Sequence, residues 1–232
     1  MTVTALVSGG KDSVYAAHLA DTQGRTVDEL VTIRPREPDS MMFHTPNLEL
    51  VALQAEAWGK RHRSVPVVGT DEAAELDALY RAIEGGNDWV VAGAIESSYQ
   101  WARLLEVARR AGRPVYTPLW RKDPGRVVRA EIDAGLDIRI AHVAAETLGR
   151  EWLGRRLDRE SVAELERVSA TVRRTHVAGE GGEYESLVVD APFFRSRIVV
   201  DATTARGTAS AASWSVERAH LESKRARGPG AT

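Results

Sequence analysis

Ser8-Gly9-Gly10-Lys11-Asp12-Ser13 stands between the apolar run Thr2–Val7 and the helical pattern Ser13–Thr22. A short apolar run bounded by turn residues reads as a buried strand. Two glycines let the backbone turn tightly and approach a ligand closely. N–H groups at the start of the following helix face the same point and favour an anion there. Lys11 adds a point charge for phosphate oxygens, and the hydroxyls of Ser8 and Ser13 can complete the cradle. Asp12 can hold Mg²⁺, directly or through water.

The same alternation continues outward. Strand patterns at Glu29–Ile33, Ser64–Val68, Asp88–Ile95, Arg113–Leu119 and Ile138–Ala144 are separated by helical patterns. These helices are Asn47–Arg61, with Asn47 as its cap, Asp71–Glu84, a segment capped by Ser97 or Ser98 and running to Ala111, and Pro124–Ala134. Strand–helix alternation predicts an α/β fold, a parallel sheet with helices on both faces. Beyond residue 145 a charged helix, Arg159–Arg174, precedes strand patterns at Glu185–Val189, Arg197–Asp201 and Ser210–Val216. This reads as a smaller C-terminal α+β domain. The expected division is 1–145 for nucleotide binding, 146–222 for substrate, and 223–232 as a flexible tail.

Composition narrows the chemistry. With 31 basic and 33 acidic residues the net charge is −2, so no overall charge draws the chain to nucleic acid or a membrane surface. The basic stretches Lys60–Arg63, read as a helix end, and Lys224–Arg227 are too small to change that. No apolar run is long enough for a membrane span or a signal-peptide core. The chain has no cysteine. That excludes disulfides, thiolate metal ligation and a thiol nucleophile, and it fits a cytoplasmic protein.

The loop is neither a Walker A sequence nor the dinucleotide fingerprint. It resembles the PP-loop of the ATP pyrophosphatase superfamily, whose members cleave ATP between the α and β phosphates. Without cysteine, the sulfur-transferring tRNA enzymes and the synthetases with a built-in glutaminase are poor matches. A second segment, Gly179-Glu180-Gly181-Gly182-Glu183-Tyr184-Glu185, holds three glycines and three glutamates in seven residues. Such a stretch forms an accessible loop with converging carboxylates, or a solvated acidic turn. Its order resembles the signature of the diphthine–ammonia ligase family. The likeness extends to Met42-Phe43-His44, Gly93-Ala94-Ile95, Tyr99-Gln100 with Arg103, Pro118-Leu119-Trp120, and Trp152-Leu153-Gly154-Arg155, and covers the chain to about residue 203.

That resemblance implies a HUP-type domain and a ligase that uses ATP, Mg²⁺ and free ammonium to amidate a carboxylate, diphthine on elongation factor 2. It implies nucleotide binding by Ser8, Gly9, Gly10, Lys11, Asp12, Ser13, His44, Gly93 and Ala94, with Asp12 on the metal. It implies substrate binding by Tyr99, Gln100, Arg103, Glu180, Gly181, Gly182, Glu183, Tyr184 and Glu185, and catalysis by Lys11, Asp12 and Glu183. Tyr184 could add a cation–π contact to diphthine's trimethylammonium group. Which glutamate meets a cation and which meets ammonia is open at this level. Relatives carry an acid, an arginine and a glutamate where this chain has Ser98, Trp101 and Leu105. Trp101 and Leu105 share a helix face, which reads either as apolar packing in place of an ion pair or as an altered acceptor pocket. The other readings are a paralogous amide ligase, a tRNA-modifying ligase and a nucleotide sensor without turnover.

Overall fold

The computed structural model describes residues 2–36, 47–86, 88–145, 147–171, 176–208 and 211–224. Met42-Phe43-His44, the end of the predicted helix at 172–174 and tail residues 225–232 lie outside them.

Five parallel strands form the first sheet: β1 (Thr2–Leu6), β2 (Thr26–Arg34), β3 (Arg61–Pro66), β4 (Trp89–Val91) and β5 (Val115–Tyr116), in the order β3-β2-β1-β4-β5. The helices between them are α1 (Lys11–Thr22), α2 (Val51–Trp58), α3 (Glu72–Ile83) and α4 (Ser98–Arg110), with α5 (Pro124–Asp133) after β5. Strand side chains alternate in direction, so one sheet builds two cores. Val3, Ala5, Leu30 and Val91 pack with Val14 and Ala17 of α1 and Val128 of α5. Val31, Ile33, Val65 and Val90 pack with Leu79 and Ile83 of α3 and Leu104 and Val107 of α4. The expected α/β layering with helices on both faces is what the chain adopts.

Helix starts follow local chemistry. Asp71 accepts from the Ala74 N–H at 2.9 Å, Ser97 from Gln100 at 3.4 Å, and Asp123 from Arg126 at 2.8 Å with Pro124 in the first turn. Ser97, not Ser98, is therefore the α4 cap. Asn47 stands at the cap position of a 3₁₀ turn, Leu48–Leu50, that leads into α2, but its side chain makes no capping bond: its amide bridges Trp214 O and Val216 N–H, each at 2.9 Å. Because α2 ends at Trp58, Arg61, His62 and Arg63 belong to β3 rather than to a helix end, and the His62 ring meets the Thr32 hydroxyl at 3.1 Å.

The sixth strand departs from expectation. β6 (Asp137–Val143) does not extend the parallel sheet but joins a second, antiparallel one, order β7-β6-β9-β8, with β7 (Tyr184–Asp190), β8 (Ser196–Gly207) and β9 (Ala212–Ser223). Periodicity marks β6 as buried but carries no information on its partner. β5 offers only two residues of ladder, whereas β7 offers a long one. α6 (Arg159–Thr171) lies between β6 and β7 in sequence and packs on α5.

Candidate functional site

In a parallel sheet, loops at the carboxyl ends of the strands line the ligand crevice, and the crevice opens where the strand order reverses. Here that point lies between β1 and β4. A cleft there is lined by Ser8, Asp12 and Ser13 after β1, by Gly93 and Ala94 after β4, and by Gln100. Glu180, from the glycine- and glutamate-rich loop, reaches the same cleft.

The loop after β1 is shaped by its own contacts. Gly9 has φ +85°, a conformation that L side chains rarely adopt. The Ser8 N–H donates to the Ser13 hydroxyl at 3.2 Å, and that hydroxyl donates to Gly10 O at 3.0 Å. Gly10 brings no side-chain cap to α1; the Lys11 N–H is taken by the Ser186 hydroxyl, whereas Asp12 and Ser13, whose N–H groups lack intrahelical partners, line the cleft where an anion is favoured. Gly93 lets the β4 loop press on this helix end. A Cβ there would lie 2.6 Å from Asp12 C and Ser13 N.

Lys11 does not lie free in the cleft. Its side chain is 1% exposed, and its Nζ donates to both Asp12 oxygens at 2.8 Å and to Ala178 O at 2.9 Å. It also sits 5.7 Å from the centre of the Tyr184 ring. Burial opposes the charge, but Asp12, Tyr184 and Glu131 together more than offset it, so Lys11 stays protonated well above the ordinary lysine range. Lys11 thus ties the phosphate loop to the glutamate-rich loop.

The glutamates divide their work. Both Glu183 oxygens accept backbone N–H groups, from His176 at 2.9 Å and Gly181 at 3.0 Å, so this carboxylate clasps the loop. Glu180 is the carboxylate in the cleft, and burial, then the charge of Asp12, raises its pKa. Glu185 lines a smaller adjoining pocket with Lys11, Asp12, Glu180 and Ser186. Tyr184 is 2% exposed and its hydroxyl donates to Val177 O at 2.7 Å, so its ring packs over Lys11. Gly181 and Gly182 form the turn of the loop.

On α4, Gln100 faces the cleft, whereas the Arg103 guanidinium lies 3.3 Å from the Tyr99 ring centre and pairs with Glu72 of α3. Trp101 stacks on Trp120, with ring centres 4.7 Å apart and planes 4° apart, and Leu105 is half-buried. An aromatic partner therefore stands beside Trp101.

Three contributors escaped the sequence reading. Gln54 of α2 donates to Gly9 O at 2.9 Å and Val188 O at 2.7 Å, fastening the phosphate loop to β7. Its signal was a lone polar residue among buried Val51, Ala55, Ala57 and Trp58. The Ser186 hydroxyl of β7 accepts the Lys11 N–H at 3.2 Å. Glu131 of α5 is fully buried and neither oxygen meets a donor; burial, then the charge of Asp12, pushes its pKa well up. Its sign in the sequence was weaker, one acid on the apolar face of a helix.

Among the described residues no group of three or more His, Asp or Glu side chains could hold a metal, and no helix is long and apolar enough to cross a membrane.

Two family models match the chain: "Diphthamide synthase N-terminal domain" over residues 1–114 and "Diphthamide synthase C-terminal domain" over residues 123–227. A Danio rerio protein named diphthine–ammonia ligase is 32% identical over 88% of this chain and 88% of its own length. The human protein of that name is 31% identical over 88% of this chain and 84% of its own. The Schizosaccharomyces pombe one is 32% identical over 86% of this chain, which spans 36% of that longer protein. A solved structure from Methanocaldococcus jannaschii, described as a predicted subunit of tRNA methyltransferase, overlays with a TM-score of 0.47 at 16% identity, over 83% of this chain and 98% of that one.

Proposed function

This chain belongs to the diphthamide synthase family, that of the diphthine–ammonia ligases, and we propose that it is an ATP-dependent amide ligase that adenylates a carboxylate and passes it to ammonia. The observation that carries this reading is the meeting of two loops from two sheets at one crevice, a helix start suited to an anion facing the half-buried Glu180 carboxylate.

A carboxylate is a poor electrophile because its leaving group would be oxide. In the proposed first step an acceptor carboxylate oxygen attacks the α-phosphorus of ATP. The new O–P bond replaces the bond to the bridging oxygen, and pyrophosphate leaves with that electron pair. Ammonia then attacks the acyl carbon, AMP departs with its oxygen, and the nitrogen loses a proton. The Asp12 and Ser13 N–H groups at the start of α1 and the Ser8 hydroxyl stabilise phosphate charge. Ala94, Gly93 and Gln100 line the nucleotide and acceptor side. Glu180, its basicity raised by burial, takes the proton from nitrogen. Glu183 and Lys11 hold the loop that presents it.

Mg²⁺ usually takes one or two carboxylates, with substrate phosphates and water completing the shell. Asp12 at the cleft suits that arrangement, and nucleotide phosphates would complete what the protein does not supply. When bound, the ion would neutralise charge on the departing pyrophosphate. The acceptor we propose is diphthine on elongation factor 2, with free ammonium as nitrogen source. The Trp101–Trp120 stack beside α4 favours a second reading, the same chemistry on a different carboxylate.

The test combines purified protein, ATP, MgCl₂ and ammonium chloride with diphthine-bearing elongation factor 2. The expected products are the amide by mass spectrometry, AMP and pyrophosphate. Release of ADP and phosphate overturns adenylation. Adenylation that leaves diphthine untouched selects the second reading.

A further inference from the structure

Three hydrogen bonds close a ring across the mouth of the cleft. His176 Nδ1 accepts from the Glu180 N–H at 3.4 Å, and also from the Ala178 N–H at 3.3 Å. A nitrogen accepting N–H groups carries no proton, so the ring proton sits on Nε2. Nε2 lies 3.1 Å from Glu96 Oε2 and donates to it. The Glu96 N–H in turn donates to Glu180 Oε2 at 3.1 Å. Glu96 belongs to the loop after β4, on the parallel sheet, whereas His176 and Glu180 belong to the loop that leads into β7 of the antiparallel sheet.

We infer that His176 is a positioning residue that uses one ring nitrogen to fold the glutamate-rich loop and the other to fasten it to Glu96, thereby aiming the Glu180 carboxylate into the cleft. The loop hangs from three points. Glu183 closes its base, Lys11 anchors Ala178 O, and Glu96 holds its tip. Only the third reaches Glu180 itself: the Glu96 N–H holds its carboxylate, and His176, which the Glu96 carboxylate fixes, holds its N–H. The first two keep the loop in place when the third is cut, so losing the clasp should misdirect one carboxylate without unfolding the site. Glu96 is half-exposed at the surface, so changing it costs little packing.

The clasp rests on the ligase reading only in its kinetic consequences. Glu96→Ala removes the acceptor for Nε2 and leaves the Glu96 N–H, whereas Glu96→Gln keeps an acceptor oxygen. His176→Ala removes both arms. In the full-length protein, amide hydrogen exchange at Ala178 and Glu180 should be about tenfold faster in Glu96→Ala and His176→Ala, the size of one net hydrogen bond, and native in Glu96→Gln. With ATP, ammonium and acceptor, kcat should fall about tenfold in Glu96→Ala while KM for ATP stays within about twofold, and Glu96→Gln should recover it. Native exchange in Glu96→Ala, or a Glu96→Gln protein as impaired as Glu96→Ala, overturns the clasp. If the native protein forms no amide the ligase reading fails, and the exchange comparison by itself still decides the clasp. If His176→Ala does not fold, the two Glu96 variants decide it.

Discussion

Gly93→Ala tests the geometry of the cleft most directly. The added Cβ would lie 2.6 Å from Asp12 C, 2.6 Å from Ser13 N and 2.7 Å from Asp12 O. Unstrained contacts between such atoms lie at about 3.5–4.0 Å, so the β4 loop and the start of α1 must part by about 1 Å. All three neighbours are backbone atoms of a helix end, which cannot rotate aside. Overpacking of this kind costs about 1–3 kcal/mol. For a chain of this size that lowers Tm by roughly 2–12 °C. The displaced atoms are those that would receive the phosphates, and a misplacement of about 1 Å can cost about 100-fold in rate. Calorimetric titration with ATP and amide formation by mass spectrometry should therefore fall together. Leu165→Ala, in the buried face of α6, is the control: it loses about 2–5 kcal/mol of stability and leaves ATP affinity native. A Gly93→Ala protein that binds ATP as tightly as the native chain would refute the assignment of the nucleotide to this crevice.

Lys11→Met leaves Asp12 and Ala178 O without their cation; urea denaturation should show a loss toward the lower end of about 3–5 kcal/mol, because Asp12 keeps some water, and a change near zero would contradict the tie between loops. Gln54→Leu strips a donor from Gly9 O and Val188 O, with an expected loss of about 1–3 kcal/mol and weaker ATP binding; unchanged values for both would remove Gln54 from the site. His18 stacks on Phe193 at 4.1 Å, and burial lowers its pKa below the ordinary histidine value. Its neutral form stabilises the fold fully above the unfolded pKa, and that contribution fades as pH falls toward the depressed folded value. His18→Phe should therefore lose less stability than the native chain between pH 7.5 and pH 5, as read by denaturation at both.

Much of the site was legible because it is local. Ser8–Ser13 carries its turn, its helix start and its hydroxyls within six residues, and Ser8, Asp12 and Ser13 line the cleft with Gly93 and Ala94. The glutamate-rich loop was equally visible as a loop, but the parts its glutamates play were not. Glu183 differs from Glu180 only in which backbone N–H groups surround it, and those arrive when the loop closes on His176. Lys11 reads from sequence as a free cation, yet its surroundings come from Ala178 and Tyr184, far along the chain. Gln54 and Glu131 carry no motif at all, and each matters only through neighbours brought by tertiary packing.

By itself the sequence determined the strand–loop–helix unit, the parallel layering and the absence of thiol chemistry, because these depend on residue type and short-range period. Tertiary structure alone decided that β6 leaves the parallel sheet for β7, since a buried strand does not encode which edge it will pair with. It also decided which carboxylate meets the cleft and which cation is buried, since charge, burial and hydrogen bonding at a side chain are properties of the groups that surround it.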